Sequence, residues 1–138
     1  MSEKKRVLIL CTGNSARSQM AEGILRHIAG DRFEVQSAGI DPSSVRPEAI
    51  EAMRDMGVDI SSHRSNSVDE FLGECFDYII TVCDNAKESC PLFPGNATRI
   101  HWGIDDPAEE KGSSDERLQA FRKARDEIKV KLVDFAAE

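Results

Sequence analysis

Cys11 and Arg17 stand with five residues between them in the stretch Cys11-Thr12-Gly13-Asn14-Ser15-Ala16-Arg17, and every residue in between is small or polar. Such residues let a backbone curl until successive N–H groups point inward and form a concave anion site. A helix opening just after the stretch would add the positive end of its dipole. Arg17 would close the cradle with a planar, two-pronged contact to a tetrahedral oxyanion. In that field Cys11 reacts as the thiolate, the nucleophilic form of cysteine, and the Ser18 hydroxyl stands where it could donate a hydrogen bond to the sulfur. The expected oxyanion-binding group is therefore Thr12, Gly13, Asn14, Ser15, Ala16, Arg17 and Ser18.

Chemistry on an oxyanion also needs a proton for the departing oxygen. Asp105-Asp106-Pro107 supplies two candidate carboxylates on a polar loop. Besides Cys11 the chain has Cys75, Cys83 and Cys90. Cys90 lies between Ser89 and Pro91, a poor place for a core thiol, and Cys83 follows an apolar run directly. The pair therefore reads as redox-active. Cys75 has no partner in such a scheme and reads as structural. Zinc sites begin with ligands two to four residues apart, and this spacing does not match. His27, His63 and His101 are scattered and read as surface or structural residues.

These residues need elements to hold them. Val7-Leu8-Ile9-Leu10 is a continuous apolar run, the pattern of a strand buried on both faces, and it ends at Cys11. Met20, Ala21, Ile24, Leu25 and Ile28 recur at helical spacing, and Gly30 closes that helix. A shorter strand is expected from Phe33, and a helix opens at Pro47 and stops at Gly57. A short helix is expected over Asp69–Glu74. Further strands are expected at Tyr78–Val82, running into Cys83, and at Thr98–Trp102. A last helix starts near Ser114 with Leu118, Phe121, Ile128, Leu132 and Phe135 on one stripe. Alternating strands and helices predict a single α/β domain over residues 1–138, a four-stranded parallel sheet with helices on both faces. Ligands in such sheets bind beyond the carboxyl ends of the strands, where the Cys11 turn and the Cys83 segment would share one crevice. The polar stretch Gly103–Ser113 reads as a lid over it.

The composition fits. The chain has 138 residues, 40% hydrophobic and 31% charged, enough for one packed core. Its net charge of −7 excludes a nucleic-acid or anionic-membrane binder, so a bound anion must be held locally. No apolar run reaches the roughly 20 residues needed to span a bilayer. The short apolar run after a charged N-terminus is no signal peptide core. The chain reads as a cytoplasmic monomer.

The stretch from Cys11 to Glu22 resembles the low-molecular-weight protein tyrosine phosphatase fold family, and within it the thioredoxin-coupled arsenate reductase branch. Ser37-Ala38-Gly39, Thr81-Val82-Cys83, Cys90-Pro91 and His101-Trp102-Gly103-Ile104-Asp105-Asp106-Pro107 continue the resemblance over nearly the whole chain. The resemblance implies Asp106, the residue before the proline, as general acid. It also implies a relay in which Cys11 attacks arsenate, Cys83 attacks Cys11, and Cys90 takes the disulfide onto Cys83–Cys90. Thioredoxin would then reduce that disulfide, with glutaredoxin the other route. No permanently bound cofactor is expected, and arsenate, phosphate or sulfate would fill the loop. Were Asp84–Ser89 helical, Cys83 and Cys90 would stand about 10 Å apart along the axis, beyond the roughly 7 Å a disulfide spans, so the segment would unwind on oxidation. Related reductases hold a potassium ion at positions matching Asn14, Glu22, Ser37 and Asn66; Asn66 replaces their aspartate and removes a charge the ion would need. Few aromatic residues flank the loops, which favours a small inorganic substrate over phosphotyrosine. A phosphatase working through Cys11 alone is the alternative.

Overall fold

In a computed structural model that describes residues 4–83 and 93–137, four strands form one sheet. They are β1 (Lys5–Cys11), β2 (Phe33–Gly39), β3 (Tyr78–Thr81) and β4 (Thr98–His101), and the sheet order is β2-β1-β3-β4. All three pairings are parallel, so every strand delivers its carboxyl end to the same edge. Central β1 is buried from Val7 to Cys11, as a strand covered on both faces must be. Register does the positioning. Leu10 pairs with Thr81, and the Val82 amide continues the ladder onto the Leu10 carbonyl at 2.9 Å. The residues next along the two strands, Thr12 and Cys83, are therefore neighbours. On the other side Cys11 pairs with Gly39.

The α-helices among the described residues are α1 (Arg17–Ala29), α2 (Pro47–Arg54) and α3 (Ser114–Ala137), and they pack against one another. Pro47 opens α2 at the first position, where its missing N–H is not needed. At the start of α3 the Ser113 hydroxyl accepts from the Glu116 amide while the Glu116 carboxylate accepts from the Ser113 amide, a capping box. Phe135 of α3 meets the rings of Phe33 and Tyr78 on one face of the sheet. Across the other face Phe71, Phe76 and Phe93 stack edge to face, and Arg6 lies over Phe76. Phe71 comes from a 3-10 helix, Val68–Phe71, shorter than the helix expected at Asp69–Glu74. Glu74, then Glu34, hydrogen-bonds the Arg6 guanidinium and raises its pKa, against the opposing effect of burial.

The amphipathic stripe of α1 is only part of its environment. Every residue from Ser18 to Leu25 is buried, polar ones included. The apolar stripe alone does not account for the burial of Gln19 and Glu22. Gln19 packs on Asn14, His63 and Arg64, and Glu22 meets Ser37 of β2 and Arg26.

Candidate active site

The carbonyls of residues 11–15 all point away from the centre of the loop. Those of Cys11, Thr12, Gly13 and Ser15 accept the amides of Ile40, Asp41, Ser43 and Arg46. That of Asn14 accepts from the Ser65 hydroxyl at 2.8 Å and from Gln19 Nε2 at 3.1 Å. A peptide whose carbonyl faces outward turns its N–H inward, and this produces the nest expected from the small residues. Asn14 turns the corner at φ +48°, a left-handed conformation that asparagine tolerates better than most residues. Gly39 makes room, since a Cβ there would lie 2.6 Å from the Thr12 carbonyl oxygen and 2.9 Å from the Asn14 nitrogen. α1 begins at Arg17 with no side-chain cap, so its N-terminus faces the loop.

Cys11 lies at the base, 2% exposed. Its Sγ receives the Asn14 amide at 3.2 Å and stands 2.8 Å from Ser18 Oγ, the contact foreseen for that hydroxyl. Asn14 then links outward: Nδ2 donates to Ser18 Oγ at 2.7 Å and to Ser37 Oγ at 3.0 Å, and Oδ1 accepts from the Asn66 amide at 2.8 Å. Fully buried Gln19 clamps Asn14 through Nε2, which also reaches the Arg64 carbonyl, and its Oε1 meets His63 Nδ1 at 3.0 Å. Gln19, Ser65 and His63 carry no motif that marks them in the sequence. Their role arises from a contact across more than forty residues of chain.

Opposite Cys11, Thr12 Oγ1 lies 3.3 Å from Cys83 Sγ, and Cys83 is 5% exposed. Arg17 Nη1 donates to the Ile104 carbonyl at 2.9 Å, and Nη2 lies 3.6 Å from Asp106 Oδ2. The guanidinium therefore ties the loop to the Gly103–Ser113 stretch as well as facing the crevice. Asp106 caps a 3-10 turn, Pro107–Glu109, with Oδ1 accepting from the Ala108 amide. That bond aims its other oxygen at Arg17. A cavity of about 400 Å³ is lined by Thr12, Arg17, Cys83, Ile104, Asp105 and Asp106. A larger one, about 760 Å³, runs from Asp105 and Asp106 along α3. It is lined mainly by carboxylates and lysines, holds no nucleophile, and so is not where the chemistry sits.

Of the residues singled out in the sequence, Thr12, Arg17, Cys83 and Asp106 line this crevice, with Cys11 buried at the base of the loop and Gly13 to Ala16 and Ser18 in or beneath it. Cys90 and the Asp84–Ser89 segment, considered above as a helix, lie outside the described residues. Asn14, Glu22, Ser37 and Asn66 do come together, but as partners of one another. Ser37 Oγ donates to Glu22 Oε1, Asn66 Nδ2 donates to the Ser37 carbonyl at 3.2 Å, and Arg26 lies 2.9 Å from Glu22 Oε2. Oxygens that hold a cation must turn lone pairs toward it. Here Asn14 Oδ1, Ser37 Oγ and both Glu22 carboxylate oxygens already meet N–H or O–H groups, so this set does not fit a resident potassium ion. Among the described residues no three His, Cys, Asp or Glu side chains are grouped to hold a metal, and no helix is long and apolar enough to cross a membrane. The Cys75 thiol is exposed, and its carbonyl accepts from Arg6 at 2.9 Å. His101 Nδ1 lies 2.8 Å from Thr81 Oγ1.

Residues 6–138 match the family model for low molecular weight phosphotyrosine protein phosphatase. The chain is 45% identical over 133 residues to a protein named arsenate reductase from Halalkalibacterium halodurans, covering 96% of each. To the arsenate reductase of Bacillus subtilis it is 42% identical over 134 residues, covering 97% of this chain and 96% of the relative. Among solved structures, an arsenate reductase in its oxidized state superposes with a TM-score of 0.83 at 29% identity, over 96% of this chain and 97% of the other. A low molecular weight protein tyrosine phosphatase from T. tengcongensis superposes with a TM-score of 0.78 at 26% identity, over 97% and 99%.

Proposed function

The chain belongs to the low molecular weight phosphotyrosine protein phosphatase family, and from that premise we propose that it is an arsenate reductase using three of its cysteines in turn. The observation that carries the proposal is the second sulfur. Cys83 sits on Thr12 of the oxyanion loop, 3.3 Å from its hydroxyl, within the crevice that Arg17 and Asp106 face. Hydrolysis has no use for a thiol there, whereas reduction needs one.

Arsenate enters the nest of inward N–H groups, with Arg17 spreading its charge over two oxygens. The Cys11 thiolate attacks arsenic, and Asp106 gives its proton to the oxygen that leaves as water. The Cys83 thiolate then attacks Cys11 Sγ. The sulfur–arsenic bond breaks, its electron pair stays on arsenic, and As(V) leaves as As(III) arsenite while a Cys11–Cys83 disulfide forms. Cys90 attacks Cys83 in turn, freeing Cys11 and moving the disulfide outward, where a dithiol donor such as thioredoxin reduces it by exchange. A reducing cytoplasm supplies that donor.

Oxidation of NADPH in the presence of arsenate, thioredoxin and thioredoxin reductase tests the proposal. The parent turns over, and Cys11→Ser, Cys83→Ser and Cys90→Ser each abolish turnover. A second function, hydrolysis of phosphomonoesters, is favoured by the Cys11, Arg17 and Asp106 arrangement itself. A parent silent toward arsenate, with aryl phosphate hydrolysis that survives Cys83→Ser and is lost with Asp106→Asn, would make that the main activity.

A further inference from the structure

Beneath the oxyanion loop the Glu22 carboxylate is 9% exposed at its side chain and anchors the chain of contacts Glu22–Ser37–Asn14–Cys11. A carboxylate so far out of water is costly unless an opposite charge meets it. We infer that Arg26 of this chain supplies that charge in place of a soluble monovalent cation, and that Arg26 is thereby a positioning residue for Cys11.

Three observations carry this. Arg26 stands one helical turn after Glu22, the spacing at which side chains on α1 meet, and its Nη2 is fixed between Glu22 Oε2 at 2.9 Å and the Val35 carbonyl at 2.7 Å. The second contact ties the guanidinium to β2, so it is held in place and does not merely hover in solvent. The oxygens around Glu22 are already committed: Asn14 Oδ1 accepts from Asn66 N and Gln19 Nε2, Ser37 Oγ accepts from Asn14 Nδ2, and Glu22 Oε1 accepts from Ser37 Oγ. Finally, Arg26 lines the hollow of about 480 Å³ beside Glu22, together with His63, Arg64, Glu70 and Glu74. His63 itself lies 3.8 Å from Glu22 Oε2. The guanidinium already stands 2.9 Å from Glu22 Oε2, and Asn66, which lines the same hollow, is neutral.

With Arg26 in place, Glu22 keeps the Ser37 proton, and Ser37 Oγ is left to accept from Asn14. That contact helps hold Asn14 left-handed with its amide on Cys11 Sγ. The inference takes from the proposed function only that Cys11 is reactive. Its test reads stability and thiol reactivity, so it stands or falls separately from arsenate turnover.

The parent, Arg26→Gln and Arg26→Lys are melted in potassium, sodium and choline chloride at one ionic strength. Alkylation of Cys11 by iodoacetamide is followed in parallel by mass spectrometry of its peptide. The parent melts at the same temperature in all three salts. Arg26→Gln melts lower and its Cys11 reacts severalfold more slowly, and Arg26→Lys restores the rate. A rise of melting temperature specific to potassium in the parent would overturn the inference. So would an Arg26→Gln protein identical to the parent in both measurements, or an Arg26→Lys protein as impaired as Arg26→Gln.

Discussion

Thr12 connects the two sulfur centres, since it follows Cys11 in the chain and its hydroxyl lies 3.3 Å from Cys83 Sγ. A hydroxyl at that distance can stabilise the thiolate that must attack Cys11, a contribution of about 1 kcal/mol for one hydrogen bond. Thr12→Val keeps the shape and removes the hydroxyl. We expect arsenite release to slow about fivefold, while alkylation of Cys11 proceeds at the parent rate, because the Ser18 and Asn14 contacts to that sulfur stay in place. Stopped-flow turnover read beside alkylation checks this, and an equal loss in both would place Thr12 at the first step. At this scale the sequence was most informative about residues with reactive side chains. Cys11, Arg17 and Ser18 announce themselves by type and spacing. Gln19 does not, because an amide clamping a backbone carbonyl looks the same in sequence as an amide facing water.

The loop is shaped by the elements around it. β1 and β3 are legible as apolar runs, and parallel register alone then sets Thr12 beside Cys83. The close approach of β2 was not legible. Ser37-Ala38-Gly39 marks the end of a strand, but only the folded sheet brings residue 39 under the loop, where a side chain would strike the Thr12 carbonyl and the Asn14 amide. Gly39→Ala should therefore lower stability by about 1–3 kcal/mol through overpacking and weaken oxyanion binding with it. At Gly73 no atom lies within 4 Å of an added Cβ, so Gly73→Ala serves as the control with neither effect. Urea unfolding with and without phosphate measures both quantities. Burial of Gln19 and Glu22 in α1 was likewise hidden. Periodicity assumes a water-facing side, and a helix that opens under a polar loop has none in its first two turns.

The whole molecule carries a net charge of −7, yet its candidate substrate is an anion. Among the described residues, attraction comes from the inward amides, the start of α1 and Arg17. A tetrahedral anion that binds only the folded loop stabilises the fold by mass action, about 2.7 kcal/mol at a hundredfold excess over Kd. Phosphate should raise the melting temperature of the parent and compete with arsenate, raising KM and leaving kcat unchanged. Arg17→Ala should lose most of that rise. A rise that persists in Arg17→Ala would locate anion binding elsewhere, for instance among the lysines of the larger cavity along α3. The central claim, that Cys11 and Cys83 together reduce arsenate, is tested most directly by one turnover with no electron donor. Fully reduced Cys90→Ser protein is mixed with arsenate under anaerobic conditions, and both arsenite and the disulfide-linked peptides are measured. The account predicts one arsenite per chain and a chain lighter by two hydrogens, with Cys11 joined to Cys83. Absence of arsenite, or a disulfide that leaves Cys83 free, would contradict it.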